Sequence, residues 1–134
     1  MSVEFLDSNV LVYAFTSDPR AVIAQNLLDR RCMIGVQCLN EFTNVARRKL
    51  NMNWQETGEA LAAIRAVCRA VIPMDVVTHE EAVRLAIRHN CSVFDSLMIA
   101  TALSAGCDVI YSEDMHHGLV VDGKLRIVDP FRDA

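Results

Sequence analysis

The chain has 134 residues and a mass of 14.9 kDa, so one domain spanning residues 1–134 is expected. Hydrophobic residues make up 52% and charged residues 22%, which excludes a disordered chain, and a chain this long buries about 68% of its unfolded surface without help from a disulfide or structural metal. Thirteen basic residues against seventeen acidic ones leave a formal charge of -4, which argues against a broad nucleic-acid-coating surface and leaves room only for a local basic strip.

The chain opens on Val3 to Leu6, a short apolar strand running into Asp7. Asp18 caps a helix with Pro19 at its first position, running to about Arg30. Met33 to Val36 reads as a second strand. A helix follows from about Cys38 to Leu50, with Leu39, Phe42, Val45 and Ala46 on its apolar side. Asn53 and Glu56 form a capping box that opens a helix striped with Ala60, Leu61, Ile64, Val67 and Cys68. Val71 to Met74 is a third strand. Thr78 with Glu81, and Ser92 with Asp95, have the spacing of two further capping boxes. The first opens a helix to about His89. The second opens one to Ala105 that is apolar almost all round and therefore central, with Gly106 as its C-cap. Val109 to Tyr111 is a fourth strand. Asp122-Gly123 is a tight-turn signal between Leu119–Val121 and Leu125–Val128, and the last of these is the fifth strand. This alternation predicts an α/β fold, a parallel sheet covered by helices on both faces.

No apolar run approaches the roughly 20 residues of a membrane span. The segment MSVEFLDSNV lacks a basic start and a cleavage pattern, so it is not expected to be a signal peptide. Cys32, Cys38, Cys68, Cys91 and Cys107 are odd in number and form no C-x-x-C. They read as reduced core thiols of a cytoplasmic protein. Neither the cysteines nor the four histidines have zinc spacing.

Four acidic positions stand out, and each has an ordinary structural explanation. Asp7 follows a strand, where an Asp commonly caps a helix. Glu41 shares a helix face with Asn44 and Arg48, which reads as a solvated polar face with an acid near the helix N-terminus. Asp95 heads the most apolar helix, among Val93, Phe94, Leu97 and Met98. A buried carboxylate there is costly unless it is paired or cation-bound. Ser112-Glu113-Asp114 follows the fourth strand, and spacing does not decide which of its two acids faces inward. Together these positions lie at strand ends or in first helical turns, which a parallel sheet brings to one edge, where ligands bind. Carboxylates gathered there repel and raise one another's pKa unless cations neutralise them. Hard divalent ions, Mg2+ or Mn2+, suit such oxygen donors and support phosphodiester hydrolysis.

The strings FLDSNVLVY, Asn40-Glu41-Phe42, VFDSLMIATAL and IYSEDMHHG occur in an order and spacing that resembles the PIN domain. More narrowly, they resemble the small VapC-type toxins of toxin–antitoxin pairs, over nearly the whole chain. The resemblance implies a five-stranded parallel sheet sandwiched by helices and a Mg2+- or Mn2+-dependent ribonuclease. It implies an RNA substrate, an antitoxin partner and, as in many relatives, a homodimer. The family's catalytic and metal-binding acids fall on Asp7, Glu41, Asp95 and Asp114, and its accessory polar positions on Asn9 and Ser112. Where many relatives carry a further acid or Asn, this chain has Met115-His116-His117-Gly118. The two histidines are expected as an exposed loop pair.

Arg47, Arg48 and Lys49 close the helix bearing Glu41. A helix C-terminus favours cations in any case, but Arg48, on the Glu41 face, is the candidate RNA contact. Trp54 is expected to pack between two helices rather than stack on a base. The helix pair at about 38–50 and 54–69 is expected to offer Leu39, Phe42, Leu61 and Ile64 as a groove for an amphipathic antitoxin helix. Two alternatives compete with the nuclease. A haloacid-dehalogenase-type phosphatase would use Asp7 as nucleophile, but its second acid is replaced by Asn9. A silent RNA-binding or interaction module is opposed by retention of all four acids.

Overall fold

Short apolar runs build the frame. The computed structural model describes residues 2–133. In it β1 (Glu4–Leu6), β2 (Met33–Gly35), β3 (Ala70–Ile72), β4 (Val109–Tyr111), β5 (Val120–Val121) and β6 (Leu125–Val128) form one sheet in the order β3-β2-β1-β4-β6-β5. Every pairing is parallel except β5 on β6. The sheet therefore has six strands rather than five. Asp122 (φ 52) and Gly123 (φ 67) both take the left-handed conformation in the three-residue connection Asp122-Gly123-Lys124. That turn folds Val120–Val121 back onto β6.

The helices are α1 (Ser8–Tyr13), α2 (Arg20–Asp29), α3 (Val36–Arg48), α4 (Trp54–Val67), α5 (Val76–His89) and α6 (Val93–Ser104). The sequence reading places no helix at α1. Its β-branched Val10 and Val12 look like continued strand, but Asp7 accepts the Ser8 N–H at 2.7 Å and Val10 and Leu11 reach the core. The α4 capping box is present as expected. At α5 the cap is Asp75, which accepts from both Thr78 N–H (2.8 Å) and the Thr78 hydroxyl (2.7 Å). Glu81, expected in a capping box, instead pairs with Arg84. Ser92 caps α6 through the Asp95 N–H at 3.0 Å, and Gly106 follows its C-terminus with φ +75.

Strand residues Phe5, Leu6, Ile34, Ile110 and Ile127 pack fully buried against Leu11, Phe42, Ile64, Leu85 and Met98 of the helices. Gly35 lets α6 lie close on β2: a Cβ there would meet Thr101 Cγ2 at 3.1 Å. The five cysteines are free, four of them buried. Among the described residues, no helix is long and apolar enough to cross a membrane.

Two expectations about α3 and α4 fail. Phe42 and Ile64 are fully buried and Leu39 and Leu61 are packed on the core, so covering the sheet has used the face expected to form a groove. Trp54 is 66% exposed, with the Arg47 guanidinium 4.4 Å from its ring centroid. The interhelix space is filled by smaller residues such as Ala46 and Ala60.

Candidate active site

The chain runs from β1 outward to β2 and β3, then returns to place β4 on β1's other side. That switch point opens a crevice at the carboxyl ends of β1 and β4. Leu6 pairs with Tyr111, and the Asp7 N–H continues the ladder to the Tyr111 carbonyl at 3.0 Å. Asp7 and Ser112 thus leave adjacent strands side by side. The Ser112 hydroxyl, fully buried, donates to Asp7 Oδ2 at 2.7 Å. The Asn9 amide lies between the two loops. Its nitrogen donates to Asp7 Oδ2 (3.3 Å) and Asp114 Oδ2 (3.2 Å), and its oxygen accepts the Glu113 N–H (3.2 Å).

Glu41 enters from the second turn of α3. The Ser8 hydroxyl donates to its Oε1 at 3.1 Å, while its buried Oε2 has no hydrogen-bond partner. Asp95 enters half-buried from the first turn of α6. The neighbours expected to bury it, Val93 and Phe94, are themselves exposed. Both acids of Ser112-Glu113-Asp114 line the larger of two clefts, with different partners. Glu113, half-buried with its Oε2 enclosed, accepts from the Tyr13 hydroxyl at 3.0 Å and lies 3.4 Å from Arg20 Nε. Asp114, exposed, accepts from the Asn9 amide.

Burial and mutual charge act on three of these acids. Burial pushes the Asp7 carboxyl up to about 6, against the pull of the Ser112 hydroxyl and Ser8 N–H, and the charges of Glu41 and Asp95 add to the rise. Glu41 is raised by burial and by Asp95 and Asp114, with Ser8 and Gln37 opposing. Asp95 is raised by burial and by Asp114, with Ser92 opposing. All five donors named for these acids are neutral.

Two clefts meet at Asp114. The larger, about 450 Å³, runs between α1 and α3 and is lined by Tyr13, Val12, Glu41, Asn44, Val45 and Lys49, among others. The smaller, about 240 Å³, is lined by Asp95, Ile99, Met115, His116 and Leu119. His116 and His117 are exposed, as expected, and His117 Nδ1 accepts the Asp129 N–H at 3.0 Å. Arg48 is exposed at the end of α3. The cation that lines the larger cleft is its neighbour Lys49, which continues the row through Val45. Helical spacing from Glu41 favoured Arg48, but α3 ends there, so the spacing no longer applies to the next residue. Tyr13 and Ser8 were also missed, because both lie on the unforeseen α1.

The donor set is all oxygen, which suits a hard divalent cation, and Glu41 Oε2 is an unpartnered buried oxygen of the right kind. Among the described residues, however, no three His, Cys, Asp or Glu side chains are drawn together into a finished ion cage. Ser8, Asn9 and Ser112 stand between the carboxylates and hold them apart by neutral hydrogen bonds.

The PIN domain family model matches residues 5–119. This chain belongs to the PIN domain family. Solved structures of similar fold include a chain of a toxin–antitoxin complex from Klebsiella pneumoniae (17% identity, 96% of this chain and 98% of that one, TM-score 0.72). VapC20 from Mycobacterium tuberculosis, a sarcin-ricin-loop-cleaving toxin, matches at 21% identity over 80% of this PIN chain and 86% of its own, with TM-score 0.63. VapBC2 from Rickettsia felis, bound to a promoter DNA fragment, matches at 14% identity over 95% and 99%, with TM-score 0.68. No curated protein sequence matches the chain.

Proposed function

We propose that this PIN protein is a Mg2+- or Mn2+-dependent endoribonuclease and the toxin of a toxin–antitoxin pair. The observation that carries the reading is the meeting of Asp7, Glu41, Asp95 and Asp114 from four elements, with only neutral donors named for the three raised acids. These four would hold the metal. When bound, such an ion polarises a phosphoryl oxygen and lowers the pKa of water, favouring in-line hydrolysis of a phosphodiester. The protein supplies position. Ser112 and Asn9 fix the Asp7 and Asp114 carboxylates across the β1–β4 crevice, and Ser8 fixes Glu41. Asp7 or Asp95 would orient the attacking water. The phosphatase alternative loses support, since Asn9 is committed to bridging two acids. The spaced carboxylates favour one second reading, a metal-free interaction module. Incubation of purified protein with cellular RNA, with Mg2+ and then with chelator, separates the two: metal-dependent fragments support the nuclease, and intact RNA under both conditions overturns it.

An acidic edge short of cations also suits an arginine or lysine from an inhibitory antitoxin, which would bind in competition with the metal. Weaker Mg2+ binding by the complex than by the free protein is the expected sign. Val76, Val83 and Ile87 form an exposed apolar line along α5 (angular spacing set by 3.6 residues per turn), with Phe94 exposed on α6. This is the surface that supports a homodimer. A cytoplasmic setting, with RNA at hand, follows from the same reading.

A further inference from the structure

The larger cleft holds more than the acids require. Asn44 and Lys49 line it beside Glu41, and both are exposed. Neither side chain has an ion-pair or hydrogen-bond partner among the described residues. Val12 and Val45 supply an apolar floor, one from each flanking helix. Tyr13 forms the far wall but is not free to stack. Its hydroxyl is held by Glu113, Arg20 lies 5.1 Å from its ring centroid, and its ring meets Phe131 edge-on at 4.9 Å. Beside the acids Glu41, Glu113 and Asp114, the cleft thus combines two apolar valines, one unpaired cation and one free amide. Asp114 lines this cleft and the smaller one alike, so a strand crossing the acids would place one nucleotide on each side of them.

We infer that the α1/α3 cleft is a nucleobase subsite for single-stranded RNA, with the base on Val12 and Val45, Asn44 hydrogen-bonding its edge and Lys49 holding its phosphate. The inference builds on the ribonuclease reading and adds a base preference on one side of the cut. Single-stranded RNA presents unstacked bases whose edges side chains can read. An amide offers one donor and one acceptor, whereas a carboxylate offers acceptors only. Asn44→Asp therefore moves the preference toward guanine, whose Watson–Crick edge presents two adjacent donors. Asn44→Ala flattens it.

The experiment has two arms. In the first, a random RNA pool is cut in Mg2+ by the wild type, Asn44→Ala and Asn44→Asp, and the bases flanking each cut are counted. The wild type should show a preference at one flanking position. Asn44→Ala should reduce that discrimination about tenfold, the worth of a hydrogen bond, and Asn44→Asp should shift it to guanine. Lys49→Ala should keep the base profile, raise KM and lower the log–log salt slope by about 0.7. In the second arm, hexamers of A, C, G and U are bound in chelator, where nothing is cut. A wild type that cuts with no flanking preference, or a profile unmoved by Asn44→Asp, overturns the subsite and leaves the ribonuclease standing. Hexamer affinities that differ by base and change with Asn44, in a protein that cuts no RNA, would keep the subsite and remove the ribonuclease.

Discussion

β1 carries an acid at each end, and the two are treated differently. Glu4, at the amino end, has a side chain only 9% exposed and meets Arg30 Nη2 at 2.8 Å and the Tyr111 hydroxyl. Arg30, Arg31 and Arg69 line the cavity beside it. Asp7, just past the carboxyl end, is equally buried at 4% exposure. Yet its partners are Ser8, Asn9 and Ser112, and its neighbours are further acids. One edge of the sheet neutralises its buried carboxylate with the chain's own cations, and the other holds Asp7 with neutral groups only. The lesson is that burial alone does not mark a site. An uncompensated buried charge does.

The widest separation between the edges is expected in activity. Asp7→Asn or Asp114→Asn should lower RNA cleavage at least about 100-fold, since ligand loss exceeds the 10–100-fold cost of altering groups that merely support a metal ligand. Glu4→Gln should leave cleavage near wild type. Comparable loss at both ends of β1 would break the comparison.

Stability should reverse the ranking. Removing the Glu4 charge leaves Arg30 half-exposed without its partner and should cost about 1–2 kcal/mol in urea unfolding. Asp7→Asn in chelator should instead stabilise, because the wild-type carboxylate is ionised against its environment. Its pKa is raised to about 6 in the folded protein, above the ordinary carboxylate range of the unfolded chain. The native state therefore binds the extra proton between about pH 4 and 6, and stability falls as pH rises through that window. The two-unit rise amounts to roughly 2–3 kcal/mol at neutral pH. Glu41 and Asp95, also raised, act in the same direction. Metal-free protein should accordingly melt higher at pH 5 than at pH 7.5, and the gap should shrink in Asp7→Asn.

Millimolar Mg2+ or Mn2+ should remove the same penalty at neutral pH. A gain of about 1–3 kcal/mol is expected at 10–100 times the dissociation constant, readable as a rise in Tm that chelator reverses and Asp95→Asn abolishes. An unchanged Tm would make the acidic edge a structural oddity. The smallest effect belongs to Glu113→Gln. Glu113 lines the larger cleft but is held there by Tyr13 and Arg20, so cleavage should fall only about threefold, the worth of one modest ion pair.

Much of this was legible in the chain. Alternation of strands and helices led to the parallel sheet, and strand-end position picked out Asp7 and the Ser112-Glu113-Asp114 loop, with the choice of Asp114 resting on the family resemblance. What was not legible depended on long-range partners. Asp7 was legible as a helix cap, yet α1 went unplaced, because Val10 and Val12 favour strand locally while burial of Val10 and Leu11 decides for helix. Asp114 takes its hydrogen bond from Asn9, 105 positions away, which no spacing within Ser112-Glu113-Asp114 can reveal. Trp54 stayed outside, with the Arg47 guanidinium over its ring, a partner on the preceding helix that its own helix does not announce.

The loop that carries Asp114 is anchored by its neighbours in an order that concerns protein synthesis. Ser112 N–H bonds the Val128 carbonyl at 3.0 Å, and Gly118 N–H bonds the Ile127 carbonyl at 2.8 Å. Both acceptors belong to β6, which leaves the ribosome after all four acids. A nascent chain that stops at the Asp122-Gly123 turn already contains Asp7, Glu41, Asp95 and Asp114. It lacks the strand that holds Ser112, and through Ser112 the Asp7 carboxylate, in register. A growing chain thus holds all four acids before it can hold Ser112 in register, which waits until β6 has been added.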